Sequence, residues 1–231
     1  MKKDQLDFLR KLLSAHAPSG YEKPVRKVWR ERVEEYADSV TTDVMGNCIA
    51  VLNPKGSPCV MLAGHCDEIG FQVSHVDDNG FLSFKPIGGH DVTLVPGRRV
   101  LVHSPEGPVP GVTGKKAIHL MTEEERKKVP EIHDLWIDIG ARNKEEALSL
   151  VNIGDCVTHD VGFQELRNGL VVSRALDDRT GAFVAAETLV AASRRKKNLK
   201  ACVVAVATVQ EEVGLRGAVT AAYGVNPAAA I

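Results

Sequence analysis

Apolar side chains at Leu6, Leu9, Leu12 and Leu13 line one face of a helix predicted over residues 4–16. Ser19-Gly-Tyr-Glu22 has the spacing of a capping box, with Pro24 near the first turn after it. A second helix is therefore predicted, with Val25, Val28, Trp29, Val33 and Tyr36 along one side. The period then changes. Val40–Leu52 is rich in β-branched and apolar residues, Asn53-Pro-Lys-Gly-Ser57 reads as a turn, and Val60-Met-Leu-Ala63 as a short buried strand.

From Phe71 to about Val161 the pattern breaks into many short strand-like runs. Turn residues separate them at Asp77-Asp-Asn-Gly80, Gly88-Gly89, Pro96-Gly97, Pro105-Glu-Gly107 and Pro110-Gly111, which suits a small β-barrel or sandwich. The charged patch Thr122–Lys128 reads as a solvated loop or a single helical turn. Gly181–Ala192 is Ala-rich and helical, and Arg194-Arg-Lys-Lys197 offsets the dipole at its C-terminus. Ala201–Val209 is almost wholly apolar, as a central strand buried on both faces would be. Gly214–Tyr223 starts another helix, and Ala228–Ile231 the beginning of another buried strand. The predicted fold class is α/β: a mixed-sheet domain from residues 1–69 and 165–231, with a β-rich domain inserted over 70–164. Natural domains rarely stop at the start of an apolar strand, so the chain reads as a piece of a longer one.

Composition narrows the function classes. The 29 Lys+Arg and 30 Asp+Glu leave a net charge of −1, which excludes nucleic-acid or membrane-surface binding through a broad basic field. No apolar run is long enough to span a membrane, and no apolar signal core follows Met1-Lys-Lys-Asp-Gln5. The five cysteines, Cys48, Cys59, Cys66, Cys156 and Cys202, contain no C-x-x-C and read as reduced, small hydrophobes. A cytoplasmic location is expected.

Three clusters could carry chemistry. In Gly64-His-Cys-Asp-Glu-Ile-Gly70, the period of two along an extended segment puts His65 and Asp67 on one side. An imidazole there could ligate a metal while Asp67 fixes its tautomer; alone, the segment could equally be a charged turn. In Arg174-Ala-Leu-Asp-Asp-Arg-Thr-Gly181, a carboxylate before a helix could bridge two cations. Alternatively, one of Asp177 and Asp178 caps the helix and the other pairs with Arg179. Glu211 and Glu212 follow a fully apolar strand, where acids are costly unless solvated, paired or metal-bound. One imidazole and three acids at the ends of strands suit a hydrolase that activates water between paired metals.

Four motifs in order carry a resemblance: Ala17–Glu22, Gly64–Phe71, Ser173–Gly181 and Val209–Gly217. Together they resemble metallopeptidase family forty-two, the tetrahedral, glutamyl and deblocking aminopeptidases, over essentially the whole chain. The resemblance implies two divalent ions, zinc or cobalt. His65 would hold the first, Glu212 the second and Asp177 would bridge them. Glu211 would be the general base and acid, and Asp67 would orient His65. It also implies peptide substrates, and a homo-oligomer, from dimer to dodecamer, assembled partly through the β-rich insert. The family pattern has two further ligands beyond Ile231, an Asp nearby and a His far downstream, so the 231 residues alone are expected to be inactive or nearly so.

Two other readings compete. A truncated, inactive subunit or assembly module is one. A glycoside hydrolase is the other, although it would need two carboxylates about 5–9.5 Å apart without metal, and aromatic platforms that a chain only 5% aromatic hardly offers. A serine nucleophile is not supported, since no G-x-S-x-G is present, and Cys66 faces away from its neighbour His65 on an extended strand.

Overall fold

In a computed structural model that describes all 231 residues, the first apolar stripe forms α1 (Lys3–Ser14). It buries Phe8, Leu9, Leu12 and Leu13, Phe8 taking the inward place expected of Leu6, which is only partly covered. The second helix, α2 (Lys23–Val33), buries Val25, Trp29 and Val33 at helical spacing. The apolar stretch Val40–Leu52 is a hairpin rather than one strand: β1 (Ser39–Thr42) pairs antiparallel with β2 (Cys48–Leu52). Asp43 makes the turn, its carboxylate accepting from the N–H groups of Gly46 and Asn47, while Gly46 takes φ +112°. The next strand is β3 (Cys59–His65).

The strands β4 (Gly70–Val76), β5 (Leu82–Ile87), β6 (Arg99–Ser104), β7 (Gly107–Lys115), β8 (Leu135–Asp138) and β9 (Cys156–His159) close into a barrel in the order β4-β5-β8-β7-β6-β9. Phe71, Val73, Leu82, Phe84, Val102, Ile137 and Val157 fill its interior. Two short helices accompany it, α3 (Glu123–Lys127) and α4 (Lys144–Leu150). The charged patch is thus the helical turn α3, capped by the Thr122 side chain.

The chain then runs through β10 (Gln164–Glu165), β11 (Val171–Val172), α5 (Leu176–Ser193), β12 (Cys202–Thr208), α6 (Arg216–Val225) and β13 (Ala229–Ala230). Two compact units result, Met1–Glu68 with Gly162–Ile231, and Ile69–Val161. The first holds a mixed five-stranded sheet, β1-β2-β12-β3-β13, in which β12 is antiparallel to β2 and parallel to β3. Every residue of the central β12 is buried. On one face Leu12, Trp29, Ala182, Ala186 and Leu189 pack against Ala50, Ala205 and Ala207. On the other, Ala221 of α6 joins Met61, Val204 and Val206. The architecture is the α/β mixed sheet with a small β-barrel that the pattern implies. All five cysteines are free, and four are buried, Cys59 being partly exposed.

The alanines of α5 let it lie close to β3. A Cβ on Gly64 would stand 2.1 Å from Ala182 N and 2.3 Å from Gly181 C, backbone atoms that have no room to yield. Gly64→Ala is therefore expected to cost about 1–3 kcal/mol through overpacking. The measurement is the urea midpoint; an unchanged midpoint would mean that α5 lifts off β3 freely.

No helix is long and apolar enough to cross a membrane.

Candidate metal centre

Parallel pairing of β3 with β12 places Thr208 opposite His65, so both strands end at the same edge of the sheet. Open α/β sheets collect ligands at the carboxyl ends of their strands. Beyond β3 the chain continues through Cys66, Asp67 and Glu68, held by a Cys66 N–H bond to Thr208 O at 2.9 Å. Beyond β12 come Glu211 and Glu212. The start of α5 supplies Asp177 and Asp178, whose backbones are not helical and whose shared peptide bond is cis. Three segments far apart in sequence therefore deliver acids to one place.

The side chains converge. His65 Nε2 lies 3.2 Å from Asp177 Oδ1 and 3.6 Å from Glu211 Oε2. His65, Glu211 and Glu212 present nitrogen or oxygen atoms all within 4.8 Å of one another. His65 is 7% exposed, whereas the Asp177 side chain is 92% exposed, so the group is walled by protein on the imidazole side and reachable from solvent past Asp177. His65 Nδ1 faces Asp67, 3.2 Å from its carbonyl oxygen and 3.5 Å from its carboxylate. Asp178 turns away and caps α5, its carboxylate accepting from Gly181 N–H at 2.9 Å. Arg179 pairs with neither aspartate, contrary to one sequence-based alternative. It is fully buried and bonds Glu68 at 2.9 Å instead.

The field at this edge is strongly negative. Burial alone would strip the proton from His65, but Asp67, Glu211 and Glu212 outweigh it and raise the imidazole to about 9. Burial also opposes charge on Asp67. His65, the Ser19 hydroxyl and the N–H groups of Glu211 and Glu212 overcome it and hold that carboxyl below the usual aspartate value. Glu212 is pushed up, first by burial and then by Asp67, Glu211 and Asp177, with His65 opposing. One imidazole nitrogen among several carboxylate oxygens is a donor set that fits a divalent cation, which would balance the excess negative charge.

Several residues around the centre were not legible as parts of it. Ser19 and Glu22 do not form the expected capping box, since α2 starts without any side-chain cap. Ser19 Oγ donates to Asp67 Oδ2 at 2.5 Å, and Glu22 Oε1 accepts from Gly20 N at 2.7 Å and Gln210 N at 3.1 Å. A buried carboxylate and loop N–H groups have no solvent to turn to, whereas the first turn of a surface helix does. Burial pushes the Glu22 carboxyl above the ordinary glutamate value, with Asp67 adding to it, and the backbone N–H groups of Gly20 and Gln210 oppose this only partly. Glu68 accepts from Arg174 Nη1 at 2.6 and 2.7 Å, Arg179 Nη2 at 2.9 Å and Ala17 N at 2.9 Å. Arg179 also donates to the carbonyls of Leu12, Ala15 and Cys66. This cluster ties the segments bearing His65 and Asp177 to the end of α1. Its one sequence signal is two arginines flanking Asp177-Asp178, one of them just inside an apolar helix.

Comparison with known proteins places the chain among peptidases. The family profile described as M42 glutamyl aminopeptidase matches residues 46–231. A putative aminopeptidase of Acetivibrio thermocellus is 40% identical over 230 residues, covering 100% of this chain and 66% of its own length. The crystal structure of a TET aminopeptidase from a marine-sediment Thaumarchaeota archaeon superposes with a TM-score of 0.94 at 38% identity, over 99% of this chain and 65% of that one. The TET1 peptidase of Pyrococcus horikoshii, described as assembling into a tetrahedron or a large octahedral shell, gives 0.84 at 36% identity, over 98% and 68%. The chain thus spans just under two-thirds of the first of these relatives.

Proposed function

We propose that this chain, which belongs to the M42 peptidase family, carries the metal-holding and proton-transfer residues of an aminopeptidase that removes N-terminal residues from peptides. The observation that supports the reading is the meeting of His65, Asp177, Glu211 and Glu212, from three separate segments, at the end of one parallel strand pair. In this reading His65 would hold one divalent ion, Glu212 a second, and Asp177 both. Zinc and cobalt suit such a nitrogen–oxygen set. When bound, the ions would supply Lewis acidity to the scissile carbonyl and to the attacking water.

The chain's own residues do the rest. Glu211 takes a proton from the attacking water as the C–O bond forms and then returns it to the amine nitrogen as the C–N bond breaks, releasing a free amino acid and a shortened peptide. Asp67 orients the His65 ring and holds the N–H groups of Glu211 and Glu212 at 3.2 Å each. Relatives named as aminopeptidases do not favour the glycosidase alternative. By extension from the shell-forming TET1 peptidase, the chain works in a homo-oligomer, and its free cysteines suit a reducing compartment such as the cytoplasm.

Metal analysis beside hydrolysis of aminoacyl p-nitroanilides, with and without EDTA, tests the reading. The purified chain is expected to take up zinc or cobalt, and EDTA to remove both the metal and whatever hydrolysis the chain supports. A chain that never takes up metal, or hydrolysis that EDTA leaves intact, overturns the proposal.

A further inference from the structure

Four successive N–H groups after β12 are each held by a side chain from a distant part of the sequence. Val209 N donates to Asn47 Oδ1 at 3.1 Å and Gln210 N to Glu22 Oε1 at 3.1 Å. Glu211 N and Glu212 N donate to the two oxygens of Asp67, each at 3.2 Å. Three buried residues thus fix the backbone from which both glutamates project.

Two of the three have other work. Asn47 also donates to Asp43, Gly217 O and Thr220, and Asp67 also faces His65 and Ser19. Glu22 differs. Its side chain caps no helix, it is 6% exposed, and beyond the N–H groups of its own turn, Gly20 and Glu22 itself, its carboxylate serves Gln210 N–H. Gln210 is the residue that needs such help. Its φ is +53°, a left-handed conformation that a side chain with a Cβ adopts reluctantly, and it stands directly before the two acids. Relaxation of Gln210 would rotate the chain at the base of Glu211 and Glu212 together.

We propose that Glu22 is a positioning residue: its carboxylate oxygen, as a hydrogen-bond acceptor, holds Gln210 in the left-handed turn and so aims Glu211 and Glu212 at the cation site. This rests on the reading that the site takes a divalent metal. What matters is the place of the acceptor atom and not its charge, because the partners are neutral N–H groups. The isosteric amide should therefore substitute for the carboxylate, and a carboxylate on a shorter stem should not.

The test is titration of the 231-residue chain with Co2+, followed by visible absorption, in wild type, Glu22→Ala, Glu22→Asp and Glu22→Gln. Amide hydrogen exchange at residues 210–212 is measured in the metal-free proteins. Outer hydrogen-bond partners of metal ligands typically change affinity 10–100-fold. E22A and E22D are expected to weaken Co2+ binding about tenfold or more and to speed exchange at Gln210, Glu211 and Glu212, whereas E22Q stays close to wild type in both. If E22A fails to fold, the contrast between E22D and E22Q decides. Wild-type affinity and exchange in E22A and E22D overturn the inference while leaving the metal reading in place. E22Q as weak as E22A overturns it too, because charge would then be what Glu22 provides. A wild-type chain that binds no Co2+ overturns the metal reading and this inference with it.

Discussion

In a full-length protein that also carries the remaining metal ligands, Glu211→Gln is expected to keep the metal and lose the chemistry. General acid–base groups typically contribute about 10²–10⁴-fold, so hydrolysis of aminoacyl p-nitroanilides should fall by that factor while bound zinc or cobalt stays within a few-fold. Glu212→Gln should do the opposite first: metal content falls, and activity follows it. The pair is informative because geometry alone does not divide the roles. Both glutamates lie in the same group with His65, and Glu211 comes within 3.6 Å of its Nε2. Metal lost from E211Q and kept by E212Q would reverse the assignment. Metal kept by both, with hydrolysis unchanged, would remove both residues from the reaction.

The second large effect concerns stability. Arg179 is fully buried, and its acid partner is Glu68, itself 3% exposed. Removing one member of a buried ion pair leaves a charge without compensation and typically costs about 3–5 kcal/mol. Glu68→Gln should lower the stability of the chain by that amount at pH 7, read from urea unfolding. The same pair sets an acid limb. Burial opposes the charge on Glu68, but Arg179 and Arg174 outweigh it and hold the carboxyl below the usual glutamate value. A group with a depressed folded pKa contributes stability that is complete above its unfolded pKa and is lost as the pH falls through the folded one. Wild type should therefore lose stability as the pH falls below about 4.3, the unperturbed glutamate value, and E68Q should lose less over the same range. Parallel pH profiles for the two would show that Glu68 titrates normally.

Much of the centre was legible because buried charge is expensive. Glu211 and Glu212 just after the almost wholly apolar Ala201–Val209, and His65-Cys-Asp67 just after another apolar run, had to lie at strand ends, where solvent or a cation can reach them. Asp177 was legible less securely, since Asp178 beside it has the same chemistry and is the residue that caps α5. The β1–β2 hairpin escaped the reading because Asp43 and Gly46 sit inside an apolar stretch. The turn is carried by a carboxylate reaching the N–H groups three and four residues ahead, which periodicity does not register. Ser19-Gly-Tyr-Glu22 misled for a different reason. Its local pattern was correct for a cap, but long-range partners, Asp67 and Gln210, took both side chains.

What the sequence determined by itself was therefore the elements and the residue types at their ends. Helical and strand periods, and the cost of burying acids, act over a few neighbouring residues and can be read from them. What only the tertiary structure decided was partnership. The parallel register of β3 on β12 sets His65 beside Thr208 and so brings Glu211 to the imidazole. The close approach of α5 at Gly64 brings in Asp177, and the choices of Glu22 for Gln210 and of Glu68 for Arg179 join residues more than a hundred positions apart. A hydrogen bond gains its value from burial and geometry, and both arise only once the sheet has closed over distant segments.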